Sequence, residues 1–174
     1  AQEIKALEQE SEIMFIGNKD KIEGKVVPQY GYEFRSIRIS GISRKMNLSN
    51  LMFPFKLITA ISKSIGYIIK FKPDAVIGTG GYVSGPVLWS ASWLGYPTLL
   101  QDHNSYPGIT TRMLASKARE VHLAFEEAKK YFKKQNNLFL TGFPIRSSFE
   151  TIDKNEALNS FGLESGKKTL FITG

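Results

Sequence analysis

The 174-residue sequence has no cysteine and only two histidines. The first absence excludes a disulfide scaffold and a thiolate metal site, and the second leaves too few imidazoles for a histidine-rich zinc centre. A chain without thiols fits a reducing, cytosolic compartment. Long apolar runs are also missing. The most apolar stretch, 46–72, is interrupted by Pro54, Lys56, Lys63 and Lys70, whereas a spanning helix needs about 20 mostly apolar residues. No initiator methionine or signal peptide precedes Ala1, and 1–10 has the pattern of the end of an amphipathic helix, with Ile4 and Leu7 on one face. The expectation is a chain whose opening elements lie upstream. Internal repeats and low-complexity tracts are absent too.

What remains is an ordinary globular composition, 42% hydrophobic with a net charge of +7, enough for a real core. The charge is unevenly spread. Residues 1–24 set three cations against six carboxylates, 25–146 set 17 against six, and 147–174 set three against four. The positive field of the middle segment suits nucleic acid, an anionic membrane or a phosphorylated substrate, and charge alone does not separate these. A solvated basic face is the plain alternative for any one cluster.

Seven short apolar runs, 12–16, 33–39, 74–77, 98–100, 121–124, 138–140 and 169–172, alternate with helical patterns clearest at 51–71, 85–94 and 108–118. That alternation predicts an α/β fold with a Rossmann-like, doubly wound parallel sheet, whose ligands bind at the carboxyl ends of the strands. A boundary is expected between 1–147 and 148–174, where a helix at 155–161 leads into the last run. The apolar residues Leu48, Leu51, Met52, Phe53 and Phe55, flanked by Arg44, Lys45 and Lys56, have the make-up of a peripheral membrane patch, with core packing as the alternative.

Three motifs follow predicted strands. The first is Ile77-Gly78-Thr79-Gly80-Gly81-Tyr82-Val83-Ser84-Gly85-Pro86. Its glycines permit left-handed backbone and close approach to a ligand, and the helix that it opens offers amides and a positive dipole end to a diphosphate. Pro86 suits the first turn of that helix. No Lys-Ser or Lys-Thr follows, so it is not a Walker A loop; Val83 also occupies the third glycine position of a dinucleotide fingerprint. Asp102, ending the next strand, resembles a ribose-binding acid and keeps a nicotinamide-binding enzyme as a minor alternative.

The second motif is Gln101-Asp102-His103-Asn104-Ser105-Tyr106-Pro107-Gly108. Asp102 or His103 suits a general base, and Asn104 offers donors and acceptors to a sugar; a polar loop capping a helix is the plain reading. The third is Thr141-Gly142-Phe143-Pro144-Ile145-Arg146, where Arg146 is either a bidentate phosphate donor or a surface cation. His122 reads as a satisfied strand histidine, and Phe15, Trp89, Trp93 and Phe125 as core or lining. With no acidic cluster, no metal cofactor is expected.

Together these motifs, with Ile39-Ser40-Gly41, Lys72-Pro73-Asp74, Leu94-Gly95 and Pro97 in the same order, resemble the MurG family of bacterial glycosyltransferases over most of the chain. The resemblance implies one half of a GT-B fold. It is the acceptor-binding domain, lacking a first strand and a histidine-containing glycine loop before Ala1, and it is followed from 148 by the start of the donor domain. It implies an inverting transferase that moves N-acetylglucosamine from UDP-N-acetylglucosamine to lipid I in peptidoglycan synthesis, peripheral on the cytoplasmic face of the inner membrane. No cofactor and no nucleic-acid partner are implied. By the same resemblance Asn104 and Arg146 contact the UDP-sugar, and Gly78, Thr79, Gly80, Gly81 and Tyr82 face the acceptor diphosphate. The membrane patch comprises Leu48, Leu51, Met52, Phe53, Phe55, Lys45 and Lys56. Asp102 is the candidate base. The family usually reads His-Glu-Gln-Asn where this chain reads Gln101-Asp102-His103-Asn104, and has Asn where this chain has Phe143. An acceptor-side binding subunit of a split glycosyltransferase is the alternative.

Overall fold

The computed structural model describes residues 1–41, 52–145, 153–170 and 172. Two compact units are present, Ala1–Gly142 and Phe143–Gly174. The first is built from α1 (Gln2–Leu7), β1 (Met14–Gly17), α2 (Ile22–Gln29), β2 (Glu33–Ser36), α3 (Phe53–Phe71), β3 (Val76–Gly78), α4 (Gly81–Trp93), β4 (Thr98–Asp102), α5 (Ile109–Leu114), β5 (Glu120–Leu123), a 3-10 turn (Glu126–Tyr131) and β6 (Leu138–Leu140).

All strand pairs are parallel, as crossover helices require. β1 pairs with β2, and β3, β4, β5 and β6 form a second sheet in sequence order. The single expected sheet is therefore divided in two among the described residues. The two parts share a core: Ile37, Ile39, Ala60 and Val87 pack with Ile16 of β1 and Val76 of β3. The run 33–39 ends as a strand at Ser36. Beyond it, Ile37, which is fully buried, donates its N–H to Gly17 O at 3.0 Å. A second cluster, Leu88, Leu100, Ala115, Ala118, Val121, Leu123, Ala128 and Phe132, fills the space between the larger sheet and its helices.

Helix α3 buries Ala60, Ser64 and Ile68, one stripe at four-residue spacing. Small residues there let it lie close to α4. Ser64 and Ser90 are both fully buried, and each hydroxyl is satisfied by the carbonyl one turn back, at Ala60 and Pro86, both at 2.7 Å. Helix α4 stops in a Schellman motif: Gly95 at φ +83° lets its N–H reach Ser92 O and lets Tyr96 N–H reach Ala91 O, and Pro97 then forbids continuation. The Leu94-Gly95 and Pro97 motif is thus a helix stop that delivers the chain to β4.

In the second unit, Asp153 caps α6 (Lys154–Ser160) by accepting from Asn155 N and Glu156 N at 2.8 and 3.0 Å. Gly162 closes it with another Schellman pair, Gly162 N–H to Asn159 O and Leu163 N–H to Leu158 O. The strand expected at 169–172 is not formed at Thr169, Leu170 or Ile172, and Leu170 and Ile172 are more than four-fifths exposed. Among the described residues this run has neither a ladder partner nor a face to bury, and an apolar run so placed does not stay extended as a strand.

Candidate functional site

Because β3 and β4 are parallel neighbours, with Gly78 opposite Leu100, the first two motifs leave the same sheet edge side by side. Helix α4 begins at Gly81, after Gly80 at φ +93°; Gly81 itself has φ +75°. A Cβ at either would meet nothing within 4 Å, so glycine is needed here for backbone angle rather than for space. Ser84 Oγ donates to Gly80 O and fixes this first turn. Pro86 lies further in than expected, as the sixth helical residue. Gly78 serves differently, since a Cβ there would overlap Leu88 Cδ1, and Gly41 likewise accommodates the Tyr82 ring.

The loop borders an open cleft of about 220 Å³ lined by Asn18, Lys21, Glu23, Ile39, Gly80, Gly81, Tyr82 and Val83. Ligand pockets for larger molecules run to roughly 300–1,000 Å³, so this space suits a phosphate-sized group better than a dinucleotide. Val83 packs on the Ile37 cluster and fills the position that a third fingerprint glycine would leave open for close helix packing. The contribution of 18–23 was not anticipated from the sequence. Its signal was Gly17-Asn18 directly after a strand: Asn18 N–H donates to Glu23 Oε1 at 3.1 Å and Asn18 Oδ1 accepts from Asp20 N at 3.1 Å. This folds the turn so that Lys21, the residue before α2, borders the cleft.

On the neighbouring strand, Asp102 is 3% exposed. Its Oδ1 accepts from both the backbone N and the Nδ2 of Asn104 at 3.0 Å, and its Oδ2 accepts from Gly108 N at 3.2 Å. The loop is held from outside by Arg112, whose guanidinium lies 4.9 Å over the Tyr106 ring, and by Tyr131, whose ring meets Tyr106 edge-on at 4.7 Å. Asn104 is exposed, and the bond to Asp102 leaves its carbonyl oxygen and second N–H for a ligand. Gln101 Nε2 donates to Gly142 O at 3.4 Å, tying the end of β4 to the turn after β6.

Thr141 and Gly142 close the first unit, while Phe143, Pro144 and Ile145 belong to the second. Arg146 lies outside the described residues, as do Lys45, Leu48 and Leu51 of the expected membrane patch. The rest of that patch divides along α3. Phe53 packs into the core with Leu57, while Met52 and Phe55 are more than half exposed and Lys56 is exposed beside them; Ile58, outside the expected patch, is more than half exposed as well. Trp89 and Trp93, expected in the core or lining, lie on the surface instead, 39% and 68% exposed and stacked at 6.5 Å. His122 is on β5, 3.0 Å from Glu120 Oε2 and stacked on Phe139. No group of three or more metal-ligating side chains occurs among the described residues.

Parallel strands whose carboxyl ends carry a glycine loop and a polar loop on adjacent positions define a Rossmann-like α/β domain. The chain belongs to glycosyltransferase family 28, whose N-terminal domain matches residues 1–123. It is 46% identical over 176 residues to the UDP-N-acetylglucosamine--N-acetylmuramyl-(pentapeptide) pyrophosphoryl-undecaprenol N-acetylglucosamine transferase of Flavobacterium psychrophilum, covering 100% of this chain and 48% of that protein. It is 41% identical to the Bacillus subtilis enzyme of the same name, covering 94% and 45%. The chain thus spans about half the length of the curated relatives it matches. Among solved structures, Acinetobacter baumannii MurG superposes with a TM-score of 0.65 at 26% identity, covering 85% of this chain and 41% of that one. A Staphylococcus aureus MnaA-UDP structure, 14% identical with a TM-score of 0.61 over 91% of this chain and 46% of that one, shares the fold.

Proposed function

We propose that this chain is the acceptor-side half of an inverting N-acetylglucosaminyltransferase, which moves the sugar from UDP-N-acetylglucosamine to a lipid I hydroxyl with UDP as leaving group. The observation that carries the reading is the pairing of two loops on one sheet edge, at the positions where the family motifs fall. Gly78, Thr79, Gly80, Gly81 and Tyr82 present amides and a helix N-terminus to the acceptor diphosphate, and Lys21 adds a cation at the rim of the same cleft. Asn104 holds the donor sugar through its free amide atoms, and Arg146 pairs with the donor phosphate. The nucleotide itself binds mostly in the domain that starts at 148, consistent with the small volume at the glycine loop.

The acceptor is a lipid, so the enzyme works at a membrane surface, the cytoplasmic face of the inner membrane. No described helix is long and apolar enough to cross a bilayer. Met52, Phe55 and Ile58, exposed beside Lys56, supply apolar contact and positive charge for peripheral docking. The test is transfer of labelled N-acetylglucosamine from its UDP ester to a lipid I analogue by the full-length protein carrying this sequence. Transfer that falls when Asn104 is replaced by Ala supports the reading; no transfer to that acceptor refutes it.

A further inference from the structure

We infer that Asp102 is a positioning residue, a buried carboxyl group that aims the Asn104 amide, rather than the base that accepts the acceptor proton. The inference rests on the proposed contact between Asn104 and the donor sugar. A general base must present a free oxygen to the substrate hydroxyl at about 2.6–3.2 Å. Asp102 is 3% exposed and takes three N–H donors on its two oxygens, two from Asn104 and one from Gly108. The geometry is that of a clamp. Oδ1 receives both the backbone N–H and the side-chain N–H of the same asparagine, which fixes the amide plane and decides its orientation: the nitrogen faces Asp102, and the carbonyl oxygen is left for a donor-sugar hydroxyl or amide N–H. Oδ2 meanwhile ties the loop to Gly108, the residue just before α5, so Asn104 is anchored to the scaffold at both ends of the loop. Hydrogen bonds to a carboxylate are charge-assisted and are the stronger kind.

The test is a double-mutant cycle in the full-length protein, with transfer from UDP-N-acetylglucosamine to a lipid I analogue as readout. Asn104→Ala and Asp102→Ala are each expected to lower kcat/KM for the UDP-sugar by on the order of ten- to a hundredfold, the size of one lost charge-assisted bond. The double variant is expected to be no worse than Asn104→Ala alone. The pH profile of kcat should keep its acidic limb in Asp102→Ala, and Asp102→Glu, which keeps the acceptor charge, should recover most of the activity. If Asp102→Ala does not fold, Asp102→Asn serves in its place: it preserves size but turns an N–H toward the Gly108 amide or toward Asn104. Loss of the acidic limb, or losses that multiply in the double variant, overturns the positioning role. A costly Asn104→Ala with a neutral Asp102 variant overturns the inference alone. A neutral Asn104→Ala overturns it together with the donor contact on which it rests.

Discussion

The glycine at 78 supports a prediction that separates packing from backbone freedom. A Cβ on Gly78 would overlap Leu88 Cδ1 and come within 3.1 Å of Leu88 Cγ and 3.4 Å of Ser84 Cβ. Leu88 is 2% exposed in the centre of the larger core cluster, so it has no free space into which to rotate. Overpacking of this kind costs about 1–3 kcal/mol, less roughly 0.4–1 kcal/mol returned by the stiffer unfolded chain. Leu88→Ala alone removes both clashing atoms but leaves a cavity, at about 2–5 kcal/mol. In the double variant the new methyl occupies part of that cavity, so the two costs should not add. The interaction term from the four urea midpoints should favour the double variant by about 1–2 kcal/mol, within the range found for residues in contact. Additivity within about 0.5 kcal/mol would refute the claim that Gly78 is required by Leu88.

The other expectations are simpler. Gly80→Ala or Gly81→Ala meets no atom within 4 Å but must hold φ at +93° or +75°, so each should lose about 1–3 kcal/mol, seen as a lower urea midpoint; at Gly80, whose ψ of −169° lies in a region that essentially only glycine visits, Asn should lose as much as Ala. Asn137 is 5% exposed and its Nδ2 donates to Ala115 O and Ala118 O, both at 2.9 Å. Asn137→Ala strands two carbonyls and should cost about 2–4 kcal/mol by thermal or urea unfolding. Lys72 ends α3 in left-handed backbone, φ 53°; Lys72→Gly relieves that strain, and the melting temperature should rise by the equivalent of up to about 1 kcal/mol. Replacing Phe55 and Ile58 with Ser should leave the unfolding midpoint nearly unchanged and weaken sedimentation with anionic vesicles severalfold.

The order of elements in the larger sheet was legible because each apolar run is short, rich in branched residues and bounded by turn residues. The run at 138–140 is a strand with those same limits, and the run at 98–100 extends only to Asp102. What failed depended on distant partners. The run 33–39 carries its β-branched residues past Ser36, and only the packing of Ile37 and Ile39 on α3 and α4 shows that they plug a core rather than extend a strand. Helix α2 was missed because Gly24 and Pro28 lower its propensity; in the fold a Cβ at 24 would strike the Lys19 backbone, so glycine is required by the turn that folds against it. At the site, the loops were found from their glycines and polar residues. The partner of Asp102 was not, because Asn104 is two residues away in a loop whose shape follows from hydrogen bonds that no periodicity encodes. Lys21 escaped for a similar reason: nothing local relates it to a glycine loop 60 residues later, and only the fold brings them to one cleft.

The only two tryptophans of the chain sit four residues apart on α4, with their rings nearly parallel at 2°. The indole emission of these 174 residues therefore originates on the helix whose first turn is the glycine loop. The emission and near-ultraviolet signal of such a stacked pair depend on how its two rings sit against each other. A ligand that tightens the start of that helix, or a surface that covers its exposed face, thus reports itself through a chromophore already present, without label or mutation.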